Sequence, residues 1–306
     1  MNDSEELLYA SLSGATRTGY LLENFRLFHL TDQTTANFPV HYHDFHKIVI
    51  PLSGSLSYHM EGKTYALLPR DILLVPRYRL HRPMIDPHTP YERMILWIQH
   101  DFLNSDALSP HHLSDCFGSP EHPANQAGSV SSSGTADRPL LLRPARTQST
   151  LLIQTLTRML DAFDSDEFGA PLLYSALFLQ FMVAVNRLSL NPDSMILENT
   201  VTCDGQIMDI LSYINGHLMN DLSADALARR FYISPSYLMH RFRQETGDTL
   251  HHYISQKRLS AACLDIKKGQ PVLEAARHNG FPEYTTFLRL FRRKYGMSPR
   301  EYYQSP

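Results

Sequence analysis

The strongest constraint on this chain is a pattern written twice in its last third. Phe242, Gly247 and Tyr253 recur as Phe291, Gly296 and Tyr302, a constant offset of 49 positions. A fixed period of that size marks a duplicated supersecondary unit. In the first copy, Ser223 is placed to cap a helix with Asp225 in its first turn and Leu227 and Ala228 on its buried side, ending near Phe231. Ser234 then caps a second helix with Pro235 at its first position, where a missing N–H costs nothing. Leu238 and Phe242 stand four apart and share the core face, and Gly247 suits a left-handed stop. The second copy repeats this with Val272 to Ala276 as first helix, Asn279-Gly280 as turn, Phe287 and Phe291 as core pair and Gly296 as stop.

Two short helices joined by a tight turn, the second projecting polar and basic groups, suit a DNA major groove. The outward face holds Ser236, Met239, His240 and Arg243 in the first copy, and Tyr284, Thr285, Leu288, Arg289 and Arg292 in the second. Ser236, Met239, His240, Tyr284, Thr285 and Arg289 are therefore the base-contact candidates. Arg289 is the sharpest, because a guanidinium can bond two acceptors of one guanine. Arg241, Arg243, Arg292, Arg293 and Lys294 are the phosphate-contact candidates, with a solvated helix face as the plain alternative. The helix from Leu250 to Lys268 would set the two readers about 34 Å apart, one DNA turn. Charge follows the same division: residues 205–306 carry 14 Lys and Arg against 9 Asp and Glu, residues 1–204 carry 14 against 22. A basic unit joined to an acidic one fits phosphate binding by one half only.

The run from Ile207 through Tyr303 resembles the DNA-binding domain of the AraC-type family of bacterial transcription regulators. The similarity is densest from Gly280-Phe281 through Phe287, Arg289 and Phe291-Arg292-Arg293-Lys294 to Gly296-Met297-Ser298-Pro299. The resemblance implies a sequence-specific regulator of double-stranded DNA, a working association with RNA polymerase, activation as the usual direction, and a homodimer. His240 stands where the family often has Arg, so the two copies are expected to contribute unequally.

Before this unit, short apolar runs alternate with turn residues: Lys47 to Pro51, Gly54 to Tyr58, Lys63 to Leu67, Asp71 to Val75 and Glu92 to Trp97. Strands of that length at that spacing indicate an all-β sandwich or barrel. Glu61-Gly62 reads as a hairpin turn. His41-Tyr42-His43 with a later His81 resembles the cupin jelly roll, the usual sensor of one branch of the same family. In metal-binding cupins the ligands map onto His41, His43, an acidic residue and His81, but here Lys47 stands in the acidic place and would repel an ion. Arg70 likewise replaces the Gly that commonly precedes Asp71. Three readings stay open: a metal site, a pocket in which His41, His43, Lys47 and His81 hold an anionic or polyol effector, and histidines satisfied by nearby carbonyls. No metal or cofactor is expected. His46, Tyr58, His59 and Arg93 are weaker candidates, Arg93 as an ion-pair partner of Glu92 or Asp71.

From Ser109 to Ser149 the chain is rich in Ser, Pro, Gly and Ala, with a short helix expected near His111 to Phe117. Two amphipathic helices follow, one through Leu151, Leu156, Met159 and Phe163, the other through Leu172, Leu177 and Val185. They are either core cover or, as the resemblance implies, a dimer interface over Leu173 to Val185. The expected organisation is a cupin-like barrel over 1–108, a flexible insertion over 109–149, a helical dimerisation segment over 150–190, a linker over 191–204 and the tandem helix-turn-helix domain over 205–306. Three scattered cysteines exclude a disulfide framework and suggest a reducing cytosol. No apolar run is expected to approach the ~20 residues needed to cross a bilayer and the N-terminus is acidic, so a soluble, cytoplasmic protein is expected. The expected function is a non-enzymatic transcription regulator whose barrel senses a sugar or an organic acid. The alternative is a cupin metalloenzyme with an accessory DNA-binding domain.

Overall fold

The computed structural model describes residues 21–304 apart from residues 22, 33–39, 44, 61, 87–89, 105–111, 119–139, 195–199 and 203. Most of the Ser/Pro/Gly-rich insertion therefore lies outside the described residues, as does Glu61 of the expected hairpin turn.

The first half is a jelly-roll of two antiparallel sheets. One contains β1 (Phe25–Asp32), β2 (His46–Ser53), β5 (Ile72–Val75), β7 (Tyr91–Ile98) and β8 (Leu141–Leu142) in the order β1-β7-β2-β5-β8. The other contains β3 (Leu56–Met60), β4 (Lys63–Leu67), β6 (His81–Ile85) and β9 (Thr200–Thr202) in the order β6-β3-β4-β9. Gly62, at φ 85°, supplies the left-handed step between the paired ends Met60 and Lys63. β2 is buried along almost its whole length because it serves two cores. Its Val49 packs between the sheets with Tyr58, Leu73 and Val75, whereas Ile48 and Ile50 face outward to a second apolar layer.

That second layer is built by two helices, α2 (Arg146–Phe163) and α3 (Ala170–Ser189), which follow the single turn α1 (His100–Leu103) and a 3-10 turn over Leu113–Phe117. Leu152, Leu156 and Met159 of α2 and Phe178, Phe181, Met182 and Val185 of α3 are buried against the sheet, and Phe178 stacks on Phe25 at 3.9 Å. Burying each large side chain here contributes about 1.5–3 kcal/mol. At 20 residues, α3 is long and apolar enough to cross a membrane by length and composition alone, which corrects the expectation that no apolar run approaches that length. Its inner face is the cover of the sheet. The outer faces of the pair keep Leu151, Leu172, Leu173 and Val183 exposed.

The stretch 191–204, expected as a linker, contains β9, whose β-branched Thr200-Val201-Thr202 extends the second sheet by pairing with Tyr65, Thr64 and Lys63. Beyond it come α4 (Gly205–Gly216), α5 (Ala224–Arg230), α6 (Pro235–Thr246), α7 (Leu250–Lys267), α8 (Val272–His278), α9 (Tyr284–Tyr295) and α10 (Pro299–Gln304). The chemistry of the helix ends is as the sequence indicates. Ser223 accepts from the Ala226 N–H and Ser234 from the Tyr237 N–H, both at 3.2 Å, and Gly247 and Gly296 close α6 and α9 at φ 76° and 73°. Leu238, Phe242, Phe287 and Phe291 are fully buried in one core with Tyr253, Leu259 and Ala262 of α7. Tyr42, Tyr78 and Leu80 of the first half join that same core.

Candidate nucleic-acid interface and sensor cluster

Burial of Leu238 and Phe242 turns the opposite side of α6 to solvent, so Ser236, Met239, His240 and Arg243 are exposed together, Met239 by 50%. The four line one cleft of about 1170 Å³ with Arg277 and Pro282 of the second unit. On α9, burial of Phe287, Phe291 and Tyr295 leaves Thr285, Arg289, Arg292 and Arg293 exposed, while Tyr284 and Leu288 are half-buried and Tyr284 stacks on Phe287 at 6.0 Å.

Two of the basic candidates are committed elsewhere. Arg241 meets Glu245 at 3.0 Å and Asp204 at 3.3 Å, and donates to Gln244 at 3.1 Å. It ties the start of α4 to α6. The Glu245 contact is an i,i+4 pair visible in the sequence, whereas Asp204 is too distant in sequence to be anticipated. Lys294 is seven positions from Phe287 and so shares its side of the helix, away from Arg289. Its Nζ donates to the Tyr42 carbonyl at 2.9 Å and lies 4.3 Å from the centre of the Tyr42 ring.

In the first half the structure brings His41, His43 and His81 together. His41 and His81 exchange backbone bonds of 3.0 and 2.9 Å in a lone bridge, with ring centres 4.5 Å apart; His43 and His81 stand at 4.9 Å. His43 Nδ1 lies 2.7 Å from the Phe45 carbonyl and His81 Nδ1 2.8 Å from the Arg79 carbonyl. Carbonyl oxygens only accept, so each Nδ1 carries the proton and each Nε2 holds a lone pair. Both Nε2 atoms are buried without a hydrogen-bond partner among the described residues. Burial, and then for His43 the neighbouring Lys47, holds both imidazoles well below their ordinary pKa and therefore neutral. Lys47 is fully buried, with Nζ 5.7 Å from the Tyr58 ring centre. Among the described residues no three His, Cys, Asp or Glu side chains are arranged to hold a metal ion.

The weaker candidates separate. His46 turns from this cluster to His100 at 2.9 Å, and His59 sits against Thr64 Oγ1 at 3.1 Å. The expected pairing of Arg93 with Glu92 or Asp71 is replaced: Glu92 meets His29 at 2.8 Å, Asp71 takes a two-pronged bond from Arg143 at 2.7 Å, and Arg93 lies 4.3 Å over the Tyr91 ring. Arg143 is 72 positions from Asp71, a separation no local pattern reveals. Arg70 adopts φ 77°, the conformation that explains why glycine is common there. Tyr42 escapes a reading by motif because, between two histidines, it has the look of a spacer.

A family model described as an AraC-like ligand binding domain matches residues 27–182, and one described as a helix-turn-helix domain matches residues 227–305. The chain is 27% identical over 269 residues to the HTH-type transcriptional activator RhaS of Salmonella typhimurium, covering 87% of each. Among solved structures, ToxT from Vibrio cholerae O395 aligns over 91% of this chain and 96% of its own at 13% identity and TM-score 0.32. The C-terminal domain of AraT, a response regulator from Geobacillus stearothermophilus, aligns over 32% of this chain and 84% of its own at 26% identity and TM-score 0.31.

Proposed function

This chain belongs to the AraC-type family of transcription regulators, with an AraC-like ligand-binding domain and a helix-turn-helix DNA-binding domain, and on that premise we propose that it is an activator that works as a homodimer in the cytoplasm beside RNA polymerase. The observation that carries the reading is the pair of exposed faces on α6 and α9 over a shared buried core. On α6, Ser236, Met239 and His240 read bases; on α9, Tyr284, Thr285 and Arg289 do. Arg243, Arg292 and Arg293 neutralise phosphates, which supplies most of the affinity, whereas side chains on base edges supply the preference. Arg241 and Lys294 are left out of this surface because their charges are engaged within the protein.

The effector site is the cluster of His41, His43, Lys47 and His81. Two buried imidazole lone pairs beside the buried Lys47 favour a small polar ligand that presents hydroxyl donors to them, so a sugar or an organic acid fits. Activation is supported by the name of the RhaS relative. Dimerisation is supported by the exposed Leu172 and Leu173 near the start of α3, and by Leu151 and Val183, which are exposed and line a groove of about 680 Å³ between α2 and α3. Selection of bound sequences from random duplex DNA by the full chain tests the reading. A motif of two blocks about one helical turn apart is expected; no enrichment by a folded protein would sink it.

A further inference from the structure

The segment His41-Tyr42-His43 is extended, so its side chains alternate between two sides. His41 and His43 gather with His81. Tyr42 points the other way, into the core of the helical domain, where it is 1% exposed. There its carbonyl accepts from Lys294 Nζ at 2.9 Å, its ring lies under the same ammonium, and its hydroxyl lies 3.4 Å from that of Tyr295. Lys294 and Tyr295 are the last two residues of α9, the helix that carries Arg289. Around this point Ser260 of α7 bonds the Tyr78 carbonyl at 3.4 Å, and the Arg82 guanidinium fills the space a side chain at Gly247 would need. The contact continues inward: His43 stacks on Phe45 at 4.1 Å with parallel rings, and Phe45 packs on Trp97 at 5.0 Å.

We propose that Tyr42 couples the histidine cluster to the second reading helix, so that occupancy of the cluster and occupancy of α9 by DNA each change the other through the Tyr42–Lys294 contact. The inference rests on reading the cluster as the effector site. A shift of the two histidines around a ligand moves the residue between them, and that residue holds the end of α9. Linkage makes the effect reciprocal, so it is measurable from the DNA side with no knowledge of the ligand.

Trp97 is the chain's single tryptophan and ends the path from Lys294 through Tyr42, His43 and Phe45. The experiment saturates the full chain with the selected duplex, follows binding by anisotropy of labelled DNA, and reads Trp97 emission in parallel. The wild-type emission shifts with the selected duplex and less with one of unrelated sequence. In Lys294→Met the shift at saturation falls to the unrelated-duplex level, and in Lys294→Arg, which keeps a cation over the ring, it persists. Bound DNA without an emission shift in the wild type, or a full shift in Lys294→Met, overturns the coupling while leaving the regulator reading intact. If Lys294→Met does not fold by circular dichroism, Tyr42→Leu decides by the same two outcomes. If anisotropy shows no preference for any duplex, the regulator reading fails and takes this inference with it.

Discussion

The basic residues of α6 and α9 divide by whether their charge is already engaged, and under the proposed function that division fixes a salt dependence. Each phosphate contact releases condensed counterions and adds about 0.9 to the slope of log affinity against log salt. Arg292 and Arg293 are exposed on α9. Replacing either by Ala lowers the magnitude of the slope by about 0.9, so between 50 and 200 mM salt each variant loses about 3.5-fold less affinity than the wild type. The double variant shows the product, about 12-fold. Arg241 gives a different result. Its guanidinium is held by Glu245 at 3.0 Å and Asp204 at 3.3 Å with the side chain 30% exposed. Arg241→Ala therefore leaves the slope at the wild-type value and costs at most about 1 kcal/mol of stability, the scale of a partly exposed pair. The assay is DNA affinity at four or five salt concentrations, with thermal unfolding alongside. A slope change for Arg241→Ala equal to that of Arg292→Ala would refute the division.

Other consequences follow from single contacts. Phe291→Ala empties a fully buried site under α9 and costs about 3–5 kcal/mol, so thermal unfolding falls sharply, whereas Met239→Ala on the exposed face changes DNA preference with little change in melting temperature. Tyr232 is 95% exposed at φ 56°, and Tyr232→Gly raises the melting temperature through relief of about 1 kcal/mol of backbone strain. Burial holds His59 and His100 at about 4, below the 6.5 of an unfolded chain. The unfolded state then binds more protons, so the stability due to these groups is complete above pH 6.5 and is lost as pH falls toward about 4; His59→Gln flattens the melting profile in that window. Leu173→Lys on the outer face of α3 shifts sedimentation from dimer to monomer if that face joins two copies.

Much of the helical half is written locally. Caps, stops and the paired phenylalanines all act within a few residues of one another, so α5, α6, α8 and α9 and their exposed faces are readable from spacing alone. The strands at Lys63–Leu67 and Ile72–Val75 are readable for the same reason. β6 is hidden by Pro83, which demotes any strand pattern, and β8 and β9 are two and three residues long and defined only by distant partners. His41, His43 and His81 are legible as a motif, but the neutral state of His43 and His81 depends on burial, which no spacing conveys. The engagement of Lys294 is the clearest case of an illegible feature. By composition it continues the basic run Arg292-Arg293, and although its spacing from Phe287 turns it toward the buried side, the partner that engages it there, Tyr42, lies 252 positions away.

The most direct test of the account is base preference at the half of the selected site read by α9, measured for the full chain and for Arg289→Ala on duplexes carrying each of the four base pairs in turn. The account predicts one position at which the wild type discriminates by about 1–3 kcal/mol and the variant does not, with the other block unchanged. An even loss of affinity across all duplexes would contradict it, because Arg289 would then be holding a phosphate and the second helix would not be reading sequence through it.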